Sequence, residues 1–189
     1  LPMLAEFSSL QHCRQSWNAE ADVRSDFQEN DTTDWLYGGA IDIGTTSVVL
    51  YVYDLKTGTL LQTESSLNKQ VSFGADVIAR ILSCQEQVNA LAEQNQAIVA
   101  TINDLLKKCY RNQPNLRENL HQLILCGNST MQHLFFKLNP TALGVFPYAN
   151  IYENSILTSN ALCGLSIPDF AAIEFLPLLG GFVGADTTA

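Results

Sequence analysis

Residues 39–53 constrain the fold of this chain most, because two apolar strands there flank a break that a helix could not accommodate. Ala40, Ile41 and Ile43 form the first strand, with a single acid, Asp42, set among them. Gly44 interrupts it, the hydroxyl residues Thr45, Thr46 and Ser47 follow, and Val48 to Tyr53 begin a second apolar strand. A tight turn rich in Gly and Thr directs backbone N–H groups and small hydroxyls into one concavity, which suits phosphate oxygens. A carboxylate beside it can hold the Mg2+ that accompanies them. The same residues also satisfy ordinary hairpin geometry, so this turn alone admits both readings.

The pattern downstream extends the strands into a layered fold. Strands are expected over 39–43, 47–54 and 59–66, with Lys56-Thr57-Gly58 turning the second into the third. Val77, Ile78, Ile81, Leu82 and Val88 recur at helical spacing, as do Leu91, Ile98, Ile102, Leu105 and Leu106, until Pro114 ends the pattern. The stretch from Val88 to Leu106 reads as an amphipathic helix covering the sheet. Leu123 to Cys126 is a short continuous apolar run, the mark of a strand covered on both faces. Gly127-Asn128-Ser129-Thr130 then turns into a helix through about residue 138, with Asn128 or Ser129 as its N-cap. Ile173 to Leu176 forms a fifth strand, and Gly180 to Asp186 opens a last helix that the chain end truncates.

The resulting order, β-β-β-α-β-α-β-α, predicts an α/β fold with a mixed five-stranded sheet. Three antiparallel strands come first, and two more join in parallel through helical crossovers. This is the arrangement of a ribonuclease-H-like lobe. It brings three Gly-rich turns to one sheet edge: Asp42 to Thr46, Gly127 to Thr130, and Gly180 to Asp186. Three such turns together form a phosphate cradle more specifically than one alone.

Composition narrows the partners. The net charge of −9 opposes a nucleic-acid surface, which needs a basic stripe to neutralise phosphates. Five cysteines lie far apart with no C-x-x-C spacing, so they are expected to be reduced structural thiols in a cytoplasmic protein. No apolar run is long enough for a membrane helix, and no signal peptide is visible at the N-terminus. Residues 1–36 carry many acids and amides among scattered apolar residues, and are expected to form a linker or extended N-terminal arm. The chain does not begin with Met and reads as a piece of a longer polypeptide.

At this point the sequence resembles the acetate and sugar kinase, heat-shock chaperone and actin superfamily, whose first-hairpin phosphate motif looks like Asp42-Ile-Gly-Thr-Thr-Ser47. Within it, the resemblance is to the ATP-dependent reductive activators of corrinoid proteins. It rests on Ala40 to Ser47, on Leu67-Asn68 with Gly74 to Arg80, on Gly127 to Met131, and on Leu176 to Asp186. The resemblance implies an actin-like ATPase domain of which residues 37–189 are the first lobe, the second lobe lying outside this chain. It implies ATP and Mg2+ as cofactors, ATPase activity only as part of the full-length protein, and a role in reducing corrinoid Co(II) to Co(I). The partner it implies is a corrinoid protein or corrinoid-dependent methyltransferase, and a homodimer is compatible with it. A 2Fe-2S cluster is expected only in an N-terminal domain absent here, since no ferredoxin-type cysteine cluster is present.

On this reading Asp42 is a catalytic acid and the metal contact, and Asp186 a second catalytic acid near the metal. Gly44, Thr45 and Thr46 wrap the phosphates, while Asn128, Ser129, Gly180 and Gly181 complete the cofactor site. Asp76 and Arg80, four residues apart on one helix face, read either as an i,i+4 ion pair or as part of the partner-facing or catalytic edge. His133 is expected to be a packed core residue, and His12 and His121 have no recognisable partner; isolated histidines do not make a metal site. The Phe135-Phe136 pair belongs to the core. A lobe of a small-molecule kinase, acting on a sugar or an acid, is the alternative within the superfamily. A ribonuclease-H-type nuclease is disfavoured, because strand four ends in Gly127-Asn128 rather than in a metal-binding acid.

Overall fold

The computed structural model describes residues 35–178. They build one six-stranded sheet in the order β3-β2-β1-β4-β6-β5. The first three strands, β1 (Tyr37–Ile43), β2 (Ser47–Asp54) and β3 (Thr59–Leu67), form an antiparallel meander. β4 (Leu120–Gly127) joins β1 in parallel, and β6 (Ala172–Phe175) joins β4 in parallel. The expected five-strand sheet is therefore corrected by one strand. β5 (Ile156–Thr158) pairs antiparallel with β6 at the far edge. With only three residues, it is too short for an alternating pattern to stand out from the loop around it.

The helices are α1 (Val77–Glu86), α2 (Ala90–Asn112), α3 (Leu116–Asn119), α4 (Ser129–Phe135) and α5 (Asn160–Cys163). The sheet's inner face presents Ile41, Ile43, Val48, Leu50, Leu123, Leu125, Ile173 and Phe175, in one cluster with Ile98, Ile102, Leu105 and Leu106 of α2. Each fully buried aliphatic side chain stabilises the fold by about 2 kcal/mol relative to exposure. α2 thus covers the sheet as expected, while α1 is a separate helix packed on α2 and on the 3-10 turns Lys69–Phe73 and Thr141–Gly144. Val88 falls in the break between α1 and α2, fully exposed, and Ile78 and Leu82 face outward from α1. The ends of α4 are fixed by neighbours as well as by sequence. Asn128 caps its start, and the buried Asn95 of α2 donates to the Leu134 and Phe135 carbonyls at its end.

β4 is covered on one face only among the described residues. Leu123 and Leu125 are fully buried, whereas Ile124 and Cys126 are half-buried and line a cleft on the other face. A continuous apolar run does not separate a two-faced core strand from one whose second face lines a cleft. The N-terminal arm expected over 1–36, the last helix, Gly180, Gly181 and Asp186, and also His12 and Cys13, lie outside the described residues, except that Trp35 stacks on Tyr37 and the Leu36 carbonyl accepts from Leu55 N. Cys84, Cys109, Cys126 and Cys163 are free thiols.

Candidate functional site

The turn between β1 and β2 is held from beneath, through its carbonyls. Asn68, fully buried, donates from Nδ2 to the Gly44 carbonyl at 2.9 Å, and its backbone N–H donates to the Thr46 carbonyl at 2.9 Å. Arg80 Nη2 donates to the Thr45 carbonyl between them. These peptides are trans, so each N–H points opposite the carbonyl of its own peptide unit. The N–H groups of Thr45, Thr46 and Ser47 consequently face away from the donors that hold the turn. Gly44 is required by contact: a Cβ there would lie 2.6 Å from the Ser47 carbonyl oxygen.

The second predicted turn stands against the first. Ile43 pairs with Gly127 across the parallel β1–β4 ladder, and a Cβ on Gly127 would lie 2.9 Å from the Ile43 carbonyl oxygen. Asn128 does two jobs at once. Its Oδ1 accepts from Met131 N at 3.0 Å, capping α4, and its Nδ2 donates to the Thr45 hydroxyl at 3.2 Å. One side chain therefore ties the helix start to the hydroxyl of the first turn. Ser129, the first residue of α4, is almost fully buried, and its carbonyl accepts from His133 Nδ1–H at 2.8 Å.

Asp42 projects from the sheet face opposite the Ile41–Ile43 core. Together with Ala40, Ile41, Tyr51, Ile124, Cys126 and Leu176 it lines a cleft of about 240 Å3. Its register partners are Val49 on β2 and Cys126 on β4, one step before the two Gly turns. An acid, a hydroxyl turn and a capping amide thus share one end of the sheet. Among the described residues, no group of three or more His, Cys, Asp or Glu side chains is arranged to hold a metal by itself. The donor set instead suits a hydrated cation carried with phosphates, since one carboxylate suffices for Mg2+ that keeps several waters.

The support beneath the turn is a buried polar network that the spacing of apolar residues does not show. Gln70 accepts from Asn68 Nδ2 and Arg80 Nη1 at its Oε1, and its Nε2 donates to the Gln94 carbonyl at 3.0 Å. Gln94 Nε2 donates to the Arg80 carbonyl at 3.0 Å. Arg80 is fully buried, and burial lowers its pKa to about 10, an effect that the charge of Asp76 opposes. Of the two readings of Asp76 and Arg80, the ion pair is corrected: no such pair lies within 4 Å, and Asp76 Oδ1 caps α1 by accepting from Ala79 N at 2.8 Å. Gln70 was not legible as a site residue; its only signal is an amide two positions after Asn68.

His133 is placed in the core as expected, whereas His121, expected to have no recognisable partner, has one. His133 is fully buried with a lowered pKa, desolvation being the main cause, and its Nε2 accepts from Ile151 N at 3.4 Å. His121 lies beside the Phe170 ring, with centroids 5.1 Å apart. Phe135 and Phe136 pack edge-on, and both contact Phe175.

Sheet order and turn placement define a ribonuclease-H-like lobe of the actin-like ATPase type. A family model described as the RACo middle region matches residues 37–189, and the chain belongs to that family. It is 44% identical over 154 residues to the corrinoid activation enzyme RamQ of Eubacterium limosum, covering 82% of this chain and 26% of that protein. It also matches the solved structure of a reductive activator for a corrinoid, iron-sulfur protein, at 29% identity and a TM-score of 0.80, over 84% of this chain and 25% of the other. The chain spans about a quarter of the length of these relatives. No helix among the described residues is long and apolar enough to cross a membrane.

Proposed function

We propose that this chain supplies one lobe of the ATP site of a corrinoid activator, which uses nucleotide to support reduction of Co(II) corrinoid to Co(I). The observation that carries this reading is the inverted turn. Three successive carbonyls, of Gly44, Thr45 and Thr46, are bonded to donors beneath it, which turns the N–H groups of Thr45, Thr46 and Ser47 to the opposite side. Preorganised N–H donors need no rearrangement to meet phosphate oxygens. The Thr45 hydroxyl, oriented by Asn128 Nδ2, adds a donor on the same turn. Gly180, Gly181 and Asp186 follow β6 in sequence and are assigned here to the same edge, as further phosphate contacts and a second acid.

Asp42 is assigned to the Mg2+ that travels with the nucleotide, through water. When bound, that ion supplies charge neutralisation at the β- and γ-phosphates. The protein's own contribution is to hold the phosphates by N–H groups and to place one negative charge beside them. The remainder of the cleft, the iron–sulfur centre and the corrinoid partner are assigned to the parts of the protein beyond this chain. The corrinoid partner rests on relatives that are a corrinoid activation enzyme and a reductive activator for a corrinoid, iron-sulfur protein, and on the quarter of their length that is matched; the iron–sulfur centre rests on the family resemblance of the sequence alone.

Asp42→Asn in the complete protein tests the reading, because it keeps size and hydrogen-bonding capacity and removes the charge. ATP-stimulated corrinoid reduction, followed by loss of the Co(II) absorption, should fall on the order of 10²-fold, comparable to removing one preorganised electrostatic contact. The melting temperature should barely move. Full activity in a variant that unfolds more easily would make Asp42 structural and defeat the metal assignment.

A further inference from the structure

Arg80 is the largest fully buried side chain among the described residues, and all of its hydrogen bonds go to neutral acceptors. Nε donates to the Gly74 carbonyl at 3.1 Å, Nη1 to Gln70 Oε1 and Met131 Sδ at 3.3 Å each, and Nη2 to the Thr45 carbonyl. Buried arginines are ordinarily matched by a carboxylate, because a desolvated cation without a counter-charge is costly. Among the described residues no carboxylate lies within 4 Å of this one; Asp76, whose charge acts on it only from beyond that distance, is exposed and committed to capping α1. The group is nonetheless held firmly. Gly74, whose carbonyl accepts from Nε, lies directly against the first turn of α1, where a Cβ would sit 2.6 Å from the Ala79 Cβ and 2.9 Å from Arg80 N.

We infer that Arg80 is a positioning residue for which Asp76 is too distant to pair and whose working counter-charge is the polyphosphate itself, bound on the far side of the Thr45–Thr46 peptide. The guanidinium pulls on the Thr45 carbonyl and so polarises the same peptide's N–H, on Thr46, toward an anion; hydrogen bonds in series strengthen one another in this way. Its pKa of about 10 leaves it charged at neutral pH. The planar fork accounts for the choice of Arg over Lys, because one head group reaches Gly74, Gln70 and Thr45 together. The inference rests on the nucleotide reading above and adds a selection by charge: the turn favours multiply charged phosphate over any neutral ligand of the same shape.

The test compares Kd values for Mg·ATP, Mg·pyrophosphate and adenosine by calorimetry, in the complete protein and in its Arg80→Met and Arg80→Lys variants. Arg80→Met replaces the cation by an apolar chain of similar length. It should weaken Mg·ATP and Mg·pyrophosphate on the order of 10- to 10²-fold and leave adenosine unchanged, as expected when one member of a close charge pair is removed. A merely structural role would weaken all three together, and that result overturns the inference. Equal phosphate affinity in Arg80→Met and the parent also overturns it, while leaving the nucleotide reading standing. Failure of the parent to bind either Mg·ATP or Mg·pyrophosphate defeats both. Should Arg80→Met fail to fold, Arg80→Lys decides: with the charge kept and the fork lost, it should retain most of the pyrophosphate affinity, and a folded Arg80→Lys that loses it refutes the role of charge.

Discussion

The strand β2 begins and ends in a hairpin turn, and the two turns are built on different principles. At its end, residues 54–59 satisfy one another. Asp54 Oδ1 accepts from Lys56 N at 2.8 Å, the Asp54 carbonyl from Gly58 N at 2.8 Å, and Thr57 Oγ1 from Thr59 N at 3.3 Å. Gly58 sits at φ +70° with nothing within 4 Å of the place a Cβ would take. At its start, the carbonyls of Gly44 and Thr45 are bonded by side chains 24 and 35 residues away, and Gly44 is pressed against backbone. A turn that only reverses the chain closes its own hydrogen bonds. The turn proposed to meet a ligand has its carbonyls occupied from elsewhere, so that its N–H groups point the other way.

The contrast can be broken most directly by placing the same methyl group in both turns. Gly44→Ala forces a contact with the Ser47 carbonyl that no rotamer relieves, and should destabilise the protein by about 3 kcal/mol. Urea unfolding should show the midpoint falling at unchanged slope, and Mg·ATP affinity should fall with it. A loss below about 1 kcal/mol would show that the turn yields, contrary to a preorganised cradle.

The network beneath the first turn comes next. Asn68→Ala leaves the Gly44 carbonyl without the Asn68 Nδ2 donor and the Gln70 N–H without its Oδ1 acceptor, both in buried surroundings. It should cost about 2 kcal/mol of stability. Because the turn loses a tether, hydrogen exchange at the Thr45 and Thr46 amides should accelerate more than at the strand centre around Leu50. Uniform acceleration along β2 would mean that Asn68 serves the core in general and not the turn.

The smallest effect belongs to the other end of the strand. Gly58→Ala meets open space but a left-handed backbone, so about 1 kcal/mol is expected from conformation alone. ATP-stimulated reduction should be unchanged in the complete protein. A fall in activity there would place the second hairpin at a functional surface and dissolve the distinction drawn between the two turns.

Local signals carried much of the architecture. Alternating apolar residues placed β1 to β3 within two residues of their ends, and the strand–Gly–helix pattern at 123–138 located β4, α4 and the Asn128 cap. These features depend on residues near one another in sequence, where side-chain periodicity and capping chemistry act directly. The three-residue β5, the break at Val88 and the second face of β4, uncovered among the described residues, were not legible, because none has a local pattern that separates it from its alternatives.

For the candidate site, the sequence determined which residues could meet a phosphate: a Gly and hydroxyls between strands, an acid on the strand before them, and an amide at a helix start. Their chemistry and spacing are properties of the chain. Only the tertiary structure decided which side of the turn is offered. That depends on Asn68 and Arg80, brought under it by the 3-10 turn Lys69–Phe73 and by α1, and on the parallel pairing that sets Gly127 against Ile43. A peptide's two faces are equivalent in sequence and become different only when a distant donor takes the carbonyl. The same reason explains why Asp76 and Arg80, an apparent surface pair at helical spacing, separate into a cap in solvent and a cation in the core.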